Sequence, residues 1–231
     1  MCIVRFVAMT YSADRPIEDL STRARIREAA MAEFGEKGFN GATMKSIAAA
    51  AGVSVGLVQH HFGTKDGLRA ACDERVLDMV RFKTDAVDAG TIADPQVLSA
   101  LMAMGPQVQR YVGRALVEDS AGIRGLLDDV MSLTEVFLTN HWPDRFPSGS
   151  QKTRDGAAVM TALNTSVMVL QSHLARRMDV APYSEEALTR IGMATFEVLE
   201  AYAEFTEFDV WGDLRDAVKA YPRQDKENND V

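Results

Sequence analysis

Apolar residues recur along this chain at steps of three and four, and strand-like alternation is absent. Ile26, Ala30 and Phe34 form one stripe of a predicted helix over 22–37, and Gly38 is placed to end it. Thr43 is positioned to cap a second, short helix and Ser54 a third. Thr64 caps a long helix over about 65–88 that carries Asp66 in its first turn. Breakers at Gly90, Pro95, Gly105 and Pro106 divide the middle into predicted helices over 96–104 and 107–118, followed by one over 123–140. The stretch HWPDRFPSGS reads as a loop. Two long apolar helices are predicted over about 152–178 and 184–208, separated by DVAPY, and then a short amphipathic piece over 210–220. The fold class is all-α.

Within this pattern, residues 43–68 (TMKSIAAAAGVSVGLVQHHFGTKDGL) have the spacing of a helix-turn-helix. Ile47 and Ala48 fall on the inner face of the first short helix, and Ala48 is small where two helices must cross closely. Gly52 stands where a sharp turn requires positive φ, which glycine adopts cheaply. Val53 plugs the turn, Ser54 caps the second helix, and Val58 points back toward Ile47 and Ala51.

The second helix of such a motif enters the major groove with its N-terminal residues at the base edges. Here those are Val55, Gly56 and Leu57, with His60 one turn on. Leu57 is expected to face solvent in the free protein, where it suits a thymine methyl. Gly56 costs roughly 1 kcal/mol of helix propensity relative to Ala, and it lets the backbone approach DNA closely. Thr43, Lys45, Ser54, Gln59, His61 and Lys65 surround this helix and are the candidate phosphate contacts. Taken singly, each also suits a solvated polar position.

Charge changes the picture by its distribution. The chain has a net charge of −8, which argues against general polyanion binding. Between residues 22 and 65, however, Arg23, Arg25, Arg27, Lys37, Lys45 and Lys65 outnumber Glu28, Glu33 and Glu36. A mildly basic head on an acidic body fits a protein that touches phosphates with one end. No apolar run reaches the length of a membrane span. The N-terminal MCIVRFVAM lacks a basic lead and is interrupted by Arg5, so it reads as a lead segment and not a signal peptide, with Met9 an alternative start. Cys2 and Cys72 have no metal-ligand spacing, and His141 and His173 stand alone, so no metal or cofactor is expected. A reduced cytoplasm is the expected compartment, with no membrane partner. No nucleophile elbow, phosphate-binding glycine loop or catalytic carboxylate pair is present, so the chain does not read as an enzyme.

The block T-M-x-x-I-A-x-x-A-G-V-S-x-G-x-V-x-x-H-F-x-x-K-x-x-L, preceded by I-x-x-A-A-x-x-x-F-x-x-x-G-F-x-G-A-T over 26–43, resembles the DNA-binding domain of the TetR family of bacterial transcriptional regulators. The likeness covers about residues 22–77. One departure is Gln59, where many members carry an aromatic residue. The resemblance implies a three-helix head over 21–66, joined through a shared helix to a larger helical effector-binding and dimerisation domain over 67–220. A flexible lead (1–20) and a disordered tail (221–231) would flank them.

The resemblance further implies dimerisation through the last two long helices and an enclosed ligand pocket. Independently, Ile191, Thr195, Val198 and Tyr202 form one stripe, with Leu188, Gly192, Phe196 and Leu199 a second. Met160, Leu163, Val167 and Leu170 give the preceding helix a similar face. From these stripes Met160, Val167, Leu188, Ile191, Thr195, Val198 and Tyr202 are the candidate dimer contacts; an ordinary monomeric core would use the same stripes. Met102, Tyr111, Met131, Phe137, Trp142, Asn164 and Met168 are the candidate pocket lining, although such residues at helical spacing also suit plain core. The expected function is a dimeric, sequence-specific DNA-binding repressor that a small-molecule effector releases from a quasi-palindromic operator. The alternative is a DNA-binding dimer governed by a protein partner or by no small molecule.

Overall fold

A computed structural model describes residues 22–118, 121–205 and 210–220. The expected lead and tail lie outside these residues. Among the described residues the elements are helices: α1 (Thr22–Gly41), α2 (Met44–Ala50), α3 (Val55–Phe62), α4 (Lys65–Asp88), α5 (Pro95–Glu118), α6 (Ala121–His141), α7 (Gln151–Arg177), α8 (Glu185–Phe205) and α9 (Val210–Ala220). None is long and apolar enough to cross a membrane. The chain divides into two compact units, Met1–Leu188 and Thr189–Val231.

In the first unit a single apolar cluster runs without interruption through Ile26 and Phe34 of α1, Ile47 of α2, Val58 of α3, Leu68 and Val76 of α4, Val108 and Val112 of α5, and Ile123 and Leu126 of α6. The expected division between residues 66 and 67 therefore falls inside a continuous core, and α4 belongs to both sides of it. Cys72 is buried in this cluster, and desolvation pushes its thiol well above the ordinary range, which suits a packing role.

Helix α1 lies tightly on α5. A methyl group on Gly35 would stand 3.1 Å from Arg110 Cγ and 3.2 Å from the Tyr111 backbone nitrogen. Gly38 has φ 75 and kinks α1, and a side chain there would run into the Glu118 carboxylate. That carboxylate instead accepts the Phe39 backbone N–H at 2.9 Å, and the Gln107 side-chain amide donates to the Glu28 carbonyl at 2.7 Å. The glycine that ends the regular part of α1 thus also leaves room for the Glu118 side chain of α5.

One sequence expectation is corrected. Residues 95–118 form a single helix that runs through Pro106, not two helices broken at Gly105 and Pro106. A proline inside a helix costs roughly 3 kcal/mol. Burial of Val97, Val108, Tyr111 and Val112 along the same helix outweighs that cost.

Helix α7 turns Thr153, Ala157, Thr161, Gln171 and Ala175 inward. Ser150 caps it by accepting the Thr153 N–H at 3.1 Å, and the Thr153 hydroxyl donates to the Pro147 carbonyl at 2.7 Å. Its outer face leaves Val159, Leu163 and Leu170 exposed. In the second unit, α8 is exposed from Met193 onward through Phe196, Val198, Leu199 and Tyr202, and α9 exposes Leu214 and Val218.

Candidate nucleic-acid interface

The geometry of the head follows from its capping and turn residues. Thr43 and Ser46 form a reciprocal capping box: Thr43 Oγ1 accepts the Ser46 N–H at 3.0 Å, and Ser46 Oγ accepts the Thr43 N–H at 3.1 Å. Gly52 has φ 66 and open space around its Cα, so the backbone angle alone requires glycine there. The turn closes with the Val53 N–H donating to the Ala48 carbonyl at 3.0 Å. Ser54 Oγ accepts the Leu57 N–H at 3.2 Å and starts α3. Ile47, Ala48 and Val58 are all buried, so α2 and α3 lock through the residues that the pattern nominated.

Of the four candidate base contacts, Gly56 and His60 are exposed and Leu57 is half-buried. Leu57 is therefore less open to solvent than expected. Val55 departs further: its side chain packs against the core cluster, because the first turn of α3 lies close to α2. Among the candidate phosphate contacts, Thr43, Lys45, Ser54 and Gln59 are exposed, while His61 and Lys65 are half-buried. Lys65 Nζ lies 4.5 Å from the centre of the Phe39 ring, with the Arg69 guanidinium 4.4 Å from the same ring. These two cations flank the C-terminal end of α1.

Two features of this surface escaped the sequence reading. The Arg23 guanidinium sits 5.1 Å from the centre of the Phe62 ring, which places an exposed cation of α1 beside the end of α3. Only the fold brings residues 39 positions apart together. Gly67 is the other: a Cβ there would stand 2.3 Å from the Phe62 carbonyl oxygen, so the α3–α4 turn needs glycine in its second half. A glycine one turn into a capped helix was the available signal.

The geometry is matched by known proteins. Residues 26–72 match the model of the bacterial regulatory proteins of the TetR family. Over this stretch, which spans the head and the start of α4, the chain is TetR-like. It is 57% identical over 63 residues to the HTH-type transcriptional regulatory protein RaaS of Mycobacterium tuberculosis, a match covering 27% of this chain and 29% of that protein. It is 33% identical over 95 residues to the HTH-type transcriptional regulator BetI of Burkholderia thailandensis, covering 35% of this chain and 49% of that protein. The chain thus spans less than half the length of these TetR-type relatives. In fold, it resembles a solved Rhodococcus protein described as a TetR-family transcriptional regulator, with TM-score 0.51 and 18% identity over 74% of this chain and 97% of that one. Both of these curated relatives are transcriptional regulators.

The structure does not gather the seven candidate pocket residues around one chamber. Tyr111 is buried in the core and its hydroxyl donates to Asp73 Oδ1, which makes it a packing residue. Burial raises the Asp73 carboxyl above its ordinary range despite that hydrogen bond, and burial likewise pushes the Tyr111 phenol up. Met102 and Trp142 are exposed. Asn164 is exposed and its amide donates to the Met160 carbonyl at 2.9 Å. Met131 and Phe137 are half-buried, with Phe137 stacked on His141 at 4.2 Å between ring centres. Met168 lines an open groove of ≈ 440 Å³ that the other six do not line. Gln171 shows a signal that sequence could not: it is fully buried and neither end of its amide has a hydrogen-bond partner among the described residues, a cost of about 1–3 kcal/mol unless something fills the place.

The candidate dimer contacts also separate. Leu188 and Ile191 are buried within this chain, as the core use of the same stripe would have them. Met160 and Val167 are half-buried and flank the exposed stripe of Val159, Leu163 and Leu170. Thr195, Val198 and Tyr202 are exposed.

Proposed function

We propose that this protein is a dimeric, sequence-specific DNA-binding repressor, released from its operator by a small molecule and acting in the cytoplasm. The observation that carries the reading is the locked α2–turn–α3 motif, which leaves Gly56, Gln59 and His60 exposed on one helix beside Lys45 and Arg23. Gly56, Leu57 and His60 read base edges, and Thr43, Lys45, Ser54, Gln59, His61 and Lys65 hold phosphates. Val55 supports this surface from beneath. Residues 21–66 serve as the DNA-reading head, and 67–220 as the body that senses and pairs.

Two recognition helices roughly 34–36 Å apart would meet successive major grooves of a quasi-palindromic operator. The second copy covers the apolar residues that α7 and α8 each leave exposed. An effector acts by binding better to a conformation whose heads no longer match that spacing. The continuous core through α1, α4 and α5 supports this coupling, because a shift of α5 moves α1 with it. The scatter of the nominated pocket residues favours, as a second reading, a body without an enclosed chamber that answers to a protein partner.

The test is a gel-shift series at rising salt, using DNA flanking its own gene. Binding should weaken steeply with salt. Lys65→Ala should weaken binding to all sequences alike and reduce the salt slope by about one, whereas His60→Ala should change which bases are preferred by about 1–3 kcal/mol. A folded protein whose binding is absent or insensitive to salt contradicts the reading, and exchanged behaviour of the two variants contradicts the assignment of roles.

A further inference from the structure

The groove of ≈ 440 Å³ lies where α1 meets α5, α7 and the loop before α8. Its volume is that of a site for a small organic molecule. Its wall is divided in character. Val117, which is 67% exposed, and Val169, 39% exposed, form an apolar side with Met168. Arg110 and Arg114, one helical turn apart on α5, form a cationic side, opposed by Glu36 of α1. Arg110 has no carboxylate within ion-pair distance among the described residues; its guanidinium lies 4.8 Å from the centre of the Tyr183 ring.

Tyr183 is held in an unusual way. Its φ is 58, a left-handed conformation that costs a bulky residue roughly 1–2 kcal/mol. Such residues persist where the surroundings fix them, and they concentrate at ligand clamps. Here the strained residue sets its aromatic face against Arg110, the groove cation with no carboxylate partner among the described residues. The groove is also separate from the face left for a second copy: Val169 lies on a different side of α7 from Val159, Leu163 and Leu170.

We propose that this groove binds a small amphipathic carboxylate, its anion bridging Arg110 and Arg114 and its apolar part lying along Val117, Met168 and Val169. The occupant bears directly on the head. Arg114 Nε donates to Glu118 Oε1 at 3.1 Å, and the same carboxylate holds the Phe39 N–H at the end of α1. A ligand carboxylate competes with Glu118 for Arg114 and loosens the hold of Glu118 on α1. The link to operator release rests on the proposed regulator function; the binding itself does not.

The experiment is titration calorimetry of the full chain, without DNA, using octanoate and 3-phenylpropanoate against 1-octanol. The carboxylates should bind and the alcohol should not. Arg110→Ala should weaken binding about tenfold. Glu36→Gln, which removes the opposing charge, should tighten it two- to fivefold. Both side chains are exposed, so neither variant threatens the fold. The opposite signs exclude a merely structural effect. No binding by either carboxylate, equal binding of the alcohol, or binding that neither variant alters overturns the proposal. Because DNA is absent from the titration, a failed gel shift and a failed groove are told apart.

Discussion

Helices α2 and α8 are both rich in apolar residues and use them in opposite ways. Ile47 of α2 is 0% exposed, its neighbours supplied within the same compact unit, whereas Phe196 of α8 is 64% exposed. The first unit closes its core around the head helices, and α3 offers solvent a polar edge. The later part of α8 is apolar on several sides and leaves that surface open. A helix with such a composition is stable when something covers it. The contrast separates apolar surface that closes within the first unit from apolar surface that the second unit leaves open.

Four perturbations test the contrast, in order of expected effect. Ile47→Ala should destabilise the first unit by about 2–5 kcal/mol, read by urea unfolding, because the cavity opens inside a closed cluster. A loss below about 1 kcal/mol would mean that the head core is looser than its burial implies. Phe196→Glu combined with Leu199→Glu should convert dimer to monomer in sedimentation, each charge costing the interface about 2 kcal/mol or more. A sedimentation coefficient unchanged from the parent would show that α8 is not what pairs the copies. Gly52→Ala should cost about 1–2 kcal/mol through backbone strain alone, since the space around its Cα is open. Gly56→Ala, on a regular helix with similar space, should instead leave the head as stable or slightly stabilise it.

The smallest effect concerns the junction. The Asp73 carboxyl has a raised pKa because it is buried, so the native state binds its proton more tightly than the unfolded chain does. Stability then falls as pH rises from the ordinary carboxylate range through the native value. Asp73→Asn, which still accepts from Tyr111, should flatten that part of the pH–stability curve and gain a few tenths of a kcal/mol at neutral pH. A curve that keeps its slope would place the titration elsewhere.

The head was legible in sequence because its determinants are local. A cap, a turn glycine and an i to i+4 apolar stripe act within a few residues, so Thr43, Gly52, Ser54 and Val58 announce their own conformations. The body was less so. Pro106 reads as a breaker, yet long-range burial carries the helix through it. Tyr111 and Met168 look alike as pocket candidates, and only packing sends one to Asp73 and the other to a groove. Leu188 and Phe196 share a stripe, but one is buried and the other exposed.

What the linear chain determined by itself is the helical class, the helix-turn-helix and the bounds of its two short helices, since each depends on interactions between near neighbours. What the tertiary structure alone decided is which apolar stripes close on this chain and which stay open, how Glu118 comes to hold α1, and where Arg110 and Arg114 meet Glu36. Those outcomes join residues about 75 or more positions apart, and no local pattern encodes the partner of a side chain at that separation.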